Sequence, residues 1–151
     1  MPEVALLEPE IAPNTGNIAR LCAATGTSLH LIGRLGFRLD ERSLRRAGLD
    51  YWHAVALQRH ASWDDFEASM TGRRIFYLSA HAQTPYTQAA FRADDCLLFG
   101  SESRGLPESL LRQHAETALR IPLLTPHVRS LNLATAVGIV LYEALRQIHA
   151  W

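Results

Sequence analysis

The chain has 151 residues, 48% hydrophobic and 20% charged, a composition that predicts one soluble globular domain over residues 1–151. Its formal net charge is zero, so a nucleic-acid partner would have to be bound by a local basic patch. No apolar run reaches the roughly 20 residues of a membrane span, and the N-terminus lacks a basic secretory start. We therefore expect a cytoplasmic protein that does not enter a membrane.

The ionisable residues narrow the chemistry further. All 15 basic residues are Arg, which excludes Schiff-base and P-loop lysine chemistry and leaves planar cations suited to phosphate. A compositional bias of the source genome explains the absence of Lys equally well. The seven His show no metal-ligand spacing, and Cys22 and Cys96 lie far apart, so we predict neither a metal site nor a disulfide framework.

Strand and helix patterns alternate along the chain. Strands are predicted at 4–7, 29–32, 54–57, 75–78, 96–99 and 118–121. Helices are predicted after Asn14 as N-cap, within the basic segment that ends at Arg46, after Ser62 as N-cap, at 107–113 and at 131–149. Residues 79–91 read as a polar, turn-rich loop. This alternation predicts an α/β fold with a mainly parallel sheet.

The stretch 97–107, LLFGSESRGLP, departs most clearly from an ordinary domain sequence. A buried strand runs into a polar loop bracketed by Gly100 and Gly105, and such loops at the carboxyl ends of strands bind ligands in α/β proteins. A P-loop would need Lys and Ser or Thr after Gly105. A nucleophile elbow would need Gly where Ser101 stands. An NTPase and a serine hydrolase are therefore disfavoured.

Two further clusters contain all three Asn of the chain. Asn14, Asn17 and Arg20 follow one another at three-residue spacing, which places them on one side of a helix. Ile121-Pro122 is followed after a loop by Ser130-Leu131-Asn132 at the predicted start of the last helix, where backbone N–H groups favour a polar or anionic ligand. Plain helix caps and a solvated face are the alternative interpretations.

Together the three clusters resemble the SpoU branch of the SPOUT methyltransferases, which transfer a methyl group from S-adenosylmethionine to RNA. The resemblance covers essentially the whole chain and is closest to short members that methylate the wobble nucleotide of tRNA. Two stretches carry that closer similarity, LEPEI-x-PNTGN at 7–17 and LRRAGLDYW at 44–52, together with the absence of an added RNA-binding domain. The loop between Pro122 and Ser130 is about one residue longer than usual, and Ala134 replaces a frequent small hydroxyl residue.

The resemblance implies a single-domain parallel α/β fold with a C-terminal deep trefoil knot, and a homodimer that builds the active site. It implies tRNA as substrate and 2'-O-methylation of cytidine or modified uridine at position 34, with S-adenosylhomocysteine as the second product. The alternatives are methylation of another tRNA or rRNA position, or an RNA-binding module without catalysis.

The resemblance also assigns candidate site residues. The cofactor pocket is expected to involve Leu78, Gly100, Glu102, Ile121, Ser130, Leu131 and Asn132. Arg20 is the expected catalytic residue, either as a base or, because a guanidinium pKa exceeds about 12, by holding a phosphate and stabilising a developing alkoxide. Tyr142 is a second catalytic candidate, with core packing between Leu141 and Leu145 as the alternative. RNA contacts are expected from Asn17, Arg42, Arg45, Arg46 and Arg129, unless the basic residues only form a solvated face.

Overall fold

The computed structural model describes residues 1–46 and 51–151. Its strands are β1 (Glu3–Leu7), β2 (Leu29–Ile32), β3 (Leu57–His60), β4 (Ile75–Leu78), β5 (Thr84–Pro85), β6 (Cys96–Phe99) and β7 (Ala118–Arg120). Its helices are α1 (Ala12–Thr25), α2 (Glu41–Arg46), α3 (Trp63–Ser69), α4 (Glu108–Gln113) and α5 (Leu133–His149), with short 3-10 helices at Trp52–Ala54, Tyr86–Gln88 and Ala115–Thr117.

The strands form one parallel sheet in the order β3-β2-β1-β6-β4-β7-β5. From β1 the chain first adds β2 and β3 on one side, and then crosses to build the other side of the sheet. The direction of winding therefore reverses between β1 and β6. In open α/β sheets the carboxyl ends of two strands at such a reversal border a ligand-binding crevice.

Helices cover both faces of the sheet, which confirms the predicted α/β class. One apolar cluster joins alternate strand residues such as Val4 and Leu97 to α1 and α5. The other joins the opposite face, including Leu98, to Phe66 of α3 and Leu110 of α4. All four residues of β2 and of β6 are buried, as expected for strands covered on both faces.

The start of α1 differs from the prediction that Asn14 is its N-cap. The helix begins at Ala12, Ile11 occupies the cap position without a side-chain cap, and Pro13 lies in the first turn. Asn14 is therefore inside the helix and buried. The predicted end is correct, because Gly26 adopts a left-handed conformation with φ of 70° and closes the helix.

The third strand was predicted too early in the chain. Residues 52–54 form a 3-10 helix, and the strand occupies Leu57–His60. This strand lies at the edge of the sheet, where Gln58 and Arg59 are exposed. The apolar run at 54–57 gave the wrong position because an edge strand does not need a continuous apolar sequence.

Smaller differences concern helix and loop boundaries. The Ser62 cap is confirmed, since its hydroxyl accepts a hydrogen bond from the backbone N–H of Asp65 at 3.1 Å. The loop predicted at 79–91 contains the short strand β5 and a 3-10 helix. α5 begins at Leu133 rather than Leu131, with Asn132 as its N-cap. No helix in residues 1–46 and 51–151 is long and apolar enough to cross a membrane.

Candidate active site at the carboxyl ends of the central strands

The loop after β6 is fastened to the beginning of α1 by the Glu102 side chain. Its carboxylate accepts hydrogen bonds from the backbone N–H groups of Glu10 at 2.9 Å and Ile11 at 2.7 Å, and from the Asn14 amide at 3.3 Å. These N–H groups precede or begin the helix and have no intrahelical acceptor. Ile11 provides no side-chain cap, and Glu102 takes over this role although it lies 88 to 92 residues further along the chain.

Asn14 connects this loop to the third cluster. Its side-chain oxygen accepts a hydrogen bond from the Asn132 amide at 3.0 Å, while the Asn132 oxygen caps α5 by accepting from the Thr135 N–H at 3.2 Å. Glu102, Asn14 and Asn132 therefore form a continuous chain of side-chain hydrogen bonds. The three sequence clusters therefore converge at one place, and local capping alone explains neither Glu102 nor Asn14.

A second contact joins the same two segments in the opposite direction. The Glu10 carboxylate accepts hydrogen bonds from the Ser103 hydroxyl at 2.6 Å and from the Ser103 backbone N–H at 2.9 Å. These two bonds lower the pKa of Glu10 below its usual value. Glu102 reaches the 10–14 segment while Glu10 reaches the 101–104 loop, so we call this pair of contacts the carboxylate clasp.

Glycine is required in the loop for the loop's own fold. A Cβ on Gly100 would lie 2.0 Å from the carbonyl carbon of Gly105, and Gly105 itself has φ of +66°. The Gly105 N–H also donates to the Ser101 carbonyl at 2.9 Å, which closes a tight turn. Close approach of a cofactor at Gly100 is therefore not needed to explain this glycine.

The other two α1 candidates form none of the hydrogen bonds of the carboxylate clasp. Asn17 and Arg20 are exposed, unlike Asn14, so the three residues do not share one environment. The Arg20 guanidinium carbon lies 5.2 Å from the centre of the exposed Tyr51 ring, a cation–π contact. No carboxylate pairs with Arg20 in the described parts of the chain. Its guanidinium remains available to an anionic ligand.

Tyr142 is not a core residue. It is 45% exposed, whereas its neighbours in the helix pattern, Leu141 and Leu145, are buried. The alternative of core packing is therefore wrong, and the catalytic role stays a prediction. The Tyr142 ring lies 6.3 Å from that of Trp151, which is also exposed.

The predicted cofactor residues lie at the carboxyl ends of three adjacent strands. Leu78 ends β4, Gly100 follows β6 and Ile121 follows β7. Leu78 is buried, Ile121 and Leu131 are half-buried, and Ser130 is exposed. Ile121 and Leu131 therefore leave part of their apolar surface accessible at this edge of the sheet.

The loop before α5 leaves its backbone free to bind a ligand. Residues 126 and 127 form a turn, and in the described parts of the chain no backbone group of residues 123–131 is hydrogen-bonded to another segment. Such unpaired N–H and C=O groups beside an apolar surface suit an adenosine. This arrangement fits S-adenosylmethionine, with Glu102 and Asn132 positioning the loops through their side chains.

The basic candidates are distributed around this edge of the sheet. Arg42, Arg45 and Arg46 are exposed on α2, and Arg129 is exposed in the loop before α5. Residues 47–50, within the stretch 44–52 that carries part of the family resemblance, lie outside the described residues. No group of three His, Cys, Asp or Glu side chains in residues 1–46 and 51–151 could hold a metal ion.

Sequence reasoning did not identify the roles of Glu10 and Ser103. Both lie within motifs that were recognised, but neither was assigned a function. A carboxylate immediately before the Asn-containing helix was the available signal. Its partner could not be identified because the two residues are 93 positions apart.

Comparison with known proteins agrees with this geometry. Residues 1–142 match the SpoU rRNA Methylase family, and the chain belongs to that family. It is 46% identical over 146 residues to the tRNA (cytidine(34)-2'-O)-methyltransferase of Methylovorus glucosotrophus, covering 96% of this chain and 94% of that one.

Solved structures of methyltransferases also match the fold of this chain. One, concerned with 2-OH methylation of C/U34 on tRNA, has a TM-score of 0.94 and 49% identity, and covers 100% of this chain and 98% of its own. An AdoMet-bound rRNA methyltransferase from Sinorhizobium meliloti has a TM-score of 0.81 and 28% identity, covering 96% of this chain and 56% of that one. The chain therefore has the SPOUT methyltransferase fold; the path of its trefoil knot remains a prediction.

Proposed function

We propose that the chain methylates the 2'-oxygen of the wobble ribose of tRNA, at cytidine or modified uridine 34, with S-adenosylmethionine as donor. The observation that carries this proposal is the convergence of Glu102, Asn14 and Asn132 from three separate motifs into one hydrogen-bonded chain. The similarity over nearly the full length to a tRNA (cytidine(34)-2'-O)-methyltransferase supports the substrate. We place the enzyme in the cytoplasm with tRNA.

S-adenosylmethionine supplies an electrophilic methyl group on a sulfonium. Leu78, Ile121 and Leu131 offer the apolar surface for its adenine, and the loops containing Gly100 and Ser130 offer backbone groups for its polar atoms. Glu102 and Asn132 act through position, since their side chains hold α1, the Gly100 loop and the start of α5 in fixed relation. A fixed approach of donor and acceptor is the main requirement of in-line methyl transfer.

Arg20 is proposed to act on the ribose side of the reaction. An Arg remains protonated at neutral pH, so electrostatic stabilisation of the 2'-oxygen and of the neighbouring phosphate is a better role than proton abstraction. The Tyr51 ring and the absence of a described carboxylate partner leave this cation available to the RNA. Asn17, one turn earlier and exposed, would contact the same RNA strand.

We further propose that two copies complete each active site. Arg20 lies six residues beyond Asn14, so its backbone is about 9 Å further along α1 from the loops that bind the cofactor. Ile11, the cap residue before α1, and Tyr142 of α5 expose 46% and 45% of their surface, and α1 and α5 pack against each other. A second copy that covers these side chains would bring its own Arg20 and Tyr142 to the cofactor loops.

RNA binding is assigned to the exposed cations of α2, Arg42, Arg45 and Arg46, together with Arg129. The local excess of Arg compensates for the zero net charge of the whole chain. Because these contacts are to phosphate, tRNA affinity should fall as salt concentration rises.

The test is a methyl-transfer assay with labelled S-adenosylmethionine and unmethylated tRNA, followed by nuclease mapping of the 2'-O-methyl group. We expect label on nucleotide 34, lost in Arg20→Ala and largely lost in Arg20→Lys, which retains the charge but not the planar fork. Arg92→Ala, an exposed Arg just before the amino end of β6, serves as the matched control and should retain activity.

The outcomes separate the alternatives. Label at another nucleotide would keep the chemistry and refute position 34. Cofactor binding without transfer to any RNA would favour a non-catalytic RNA-binding module. Mixing Arg20→Ala with a variant defective in cofactor binding tests the shared site, because a mixed dimer would regain activity at one of its two sites.

A further inference from the structure

A cleft of about 540 Å³ borders the loop after β6, on the side of β1 and β2 rather than that of β4 and β7. It is bordered by the segments that follow β1, β2 and β6, including Glu8, Arg34, Gly36, Ser101 and Arg104. This is the place where the winding direction of the sheet reverses between β1 and β6. The topology of the sheet therefore marks it as a ligand crevice, and its volume suits a nucleotide-sized ligand.

The cleft is lined by two arginines that form no structural hydrogen bond or salt bridge in the described parts of the chain. Arg34 and Arg104 are both exposed, and neither forms a salt bridge or donates a side-chain hydrogen bond within residues 1–46 and 51–151. Structural Arg residues of this chain behave differently. Arg74, for example, donates two hydrogen bonds to the buried Asp95 carboxylate. Unpaired guanidinium groups in a crevice are suited to an anionic ligand.

The two carboxylates that also border the cleft do not cancel this preference. Glu10 accepts both hydrogen bonds from Ser103. These bonds and the charge of nearby Arg104 lower the pKa of Glu10, but the Glu10 and Arg104 side chains, both among the described residues, form no salt bridge. The Glu8 side chain packs over Gly33, where an added Cβ would lie 3.0 Å from its Cγ. The arginines therefore supply the cleft's available charged donors for a ligand.

The wall that carries Arg34 is rigidly placed. The Gly36 N–H donates to the Pro9 carbonyl at 3.0 Å, and a Cβ on Gly36 would lie 2.5 Å from the Glu10 carbonyl oxygen. The segment after β2 is thus packed directly on the segment after β1. Further along the chain it leads into α2 with its exposed arginines.

We propose that this cleft binds the RNA backbone next to the methylated ribose, with Arg34 and Arg104 as a paired phosphodiester site. The inference rests on the proposed function, since it requires an RNA substrate. S-adenosylmethionine carries one carboxylate and no phosphate, so a pair of arginines beside its predicted pocket matches the repeated anions of the RNA backbone better than the cofactor. Arg104 follows the clasp residue Ser103, so a bound phosphate would be fixed relative to the cofactor loop.

The experiment compares Arg34→Ala and Arg104→Ala with the control Arg92→Ala, which removes the same charge just before the amino end of β6. For each variant we would measure tRNA affinity against salt concentration, the KM for tRNA, the cofactor Kd and the thermal midpoint. Loss of one phosphate contact should lower the slope of log K against log salt by about 0.7 for a single strand. It should raise the tRNA KM about tenfold, with the cofactor Kd and the thermal midpoint unchanged.

Ethylation interference locates the contact. In the wild-type enzyme, ethylating a phosphate adjacent to nucleotide 34 should prevent tRNA binding, and this interference should disappear in Arg34→Ala or Arg104→Ala. The cleft assignment would be overturned if the two variants behaved like Arg92→Ala, or if they lost interference only at phosphates outside the anticodon loop. Methylation of tRNA by the wild-type enzyme would still uphold the proposed function in either case. Failure of the wild-type enzyme to bind or methylate any tRNA would overturn both.

Discussion

Replacing Glu102 by Gln tests whether this side chain anchors the site or contacts the cofactor. Glutamine has nearly the same shape but only one acceptor oxygen, and its amide group would face N–H donors. The carboxylate now accepts three hydrogen bonds, from Glu10, Ile11 and Asn14. At least one of them must be lost in Glu102→Gln.

The cost can be worked from those contacts. A hydrogen bond to a charged group contributes about 1.5–3 kcal/mol, and the lower part of this range applies because Glu102 is half-buried and water can replace it. We expect a loss of about 2 kcal/mol in the free energy of unfolding. For a chain of this length this lowers the thermal midpoint by about 4–8 °C. Displacement of the loop should also lower kcat/KM by up to about 100-fold.

The assay is thermal unfolding together with methylation kinetics and cofactor binding. Glu116→Gln is the matched control, because Glu116 is exposed and its carboxylate forms no hydrogen bond or salt bridge in the described parts of the chain. Wild-type stability of Glu102→Gln combined with a weakened cofactor Kd would refute the anchoring role. It would show instead that the carboxylate binds S-adenosylmethionine directly.

Three further outcomes follow from the same structure. Asn132→Asp keeps the oxygen that caps α5 but cannot donate a hydrogen bond to Asn14. Activity should therefore fall more than tenfold, while the free energy of unfolding falls by only about 1 kcal/mol. Equal losses of unfolding free energy in Asn132→Ala and Asn132→Asp, measured by urea titration, would contradict this. Burial and the neighbouring imidazole of His30 lower the pKa of His60, so the unfolded state binds more protons just below about pH 6.5. The free energy of unfolding should therefore keep its full value above that pH and decrease as the pH falls below it. If the urea midpoint of His60→Gln decreased equally with falling pH, His60 would not be the cause. Gly138→Ala should stabilise α5 by about 0.5–1 kcal/mol, because Ala favours a helix over Gly and the nearest atom to an added Cβ, outside the helix's own backbone, is 4.0 Å away. An unfolding midpoint below that of the wild type would show that the helix cannot accept the methyl group.

The sequence predicted which segments form the site better than it predicted what each side chain does. Strand-to-helix loops with glycine brackets have a local signature, so the loop after β6 was identified correctly. Asn14 was misassigned as a cap because capping rules consider only neighbouring residues. Its actual partners, Glu102 and Asn132, lie 88 and 118 positions away. Local patterns carry no information about contacts at that separation.

Strand order was the decisive information that the sequence did not contain. Many strand orders are compatible with the same hydrophobic pattern. In the observed order β2-β1-β6-β4, β2 and β6 are the two neighbours of β1, so the segments that follow them lie on either side of it. Arg34 and Arg104 border one cleft for that reason alone, although 70 positions separate them in the chain. The topology that assembles the predicted cofactor loops on one side of the β6 loop thus leaves a crevice with Arg34 and Arg104 on its other side. In the proposed complex, donor and acceptor approach one another across a loop that the carboxylate clasp holds in place.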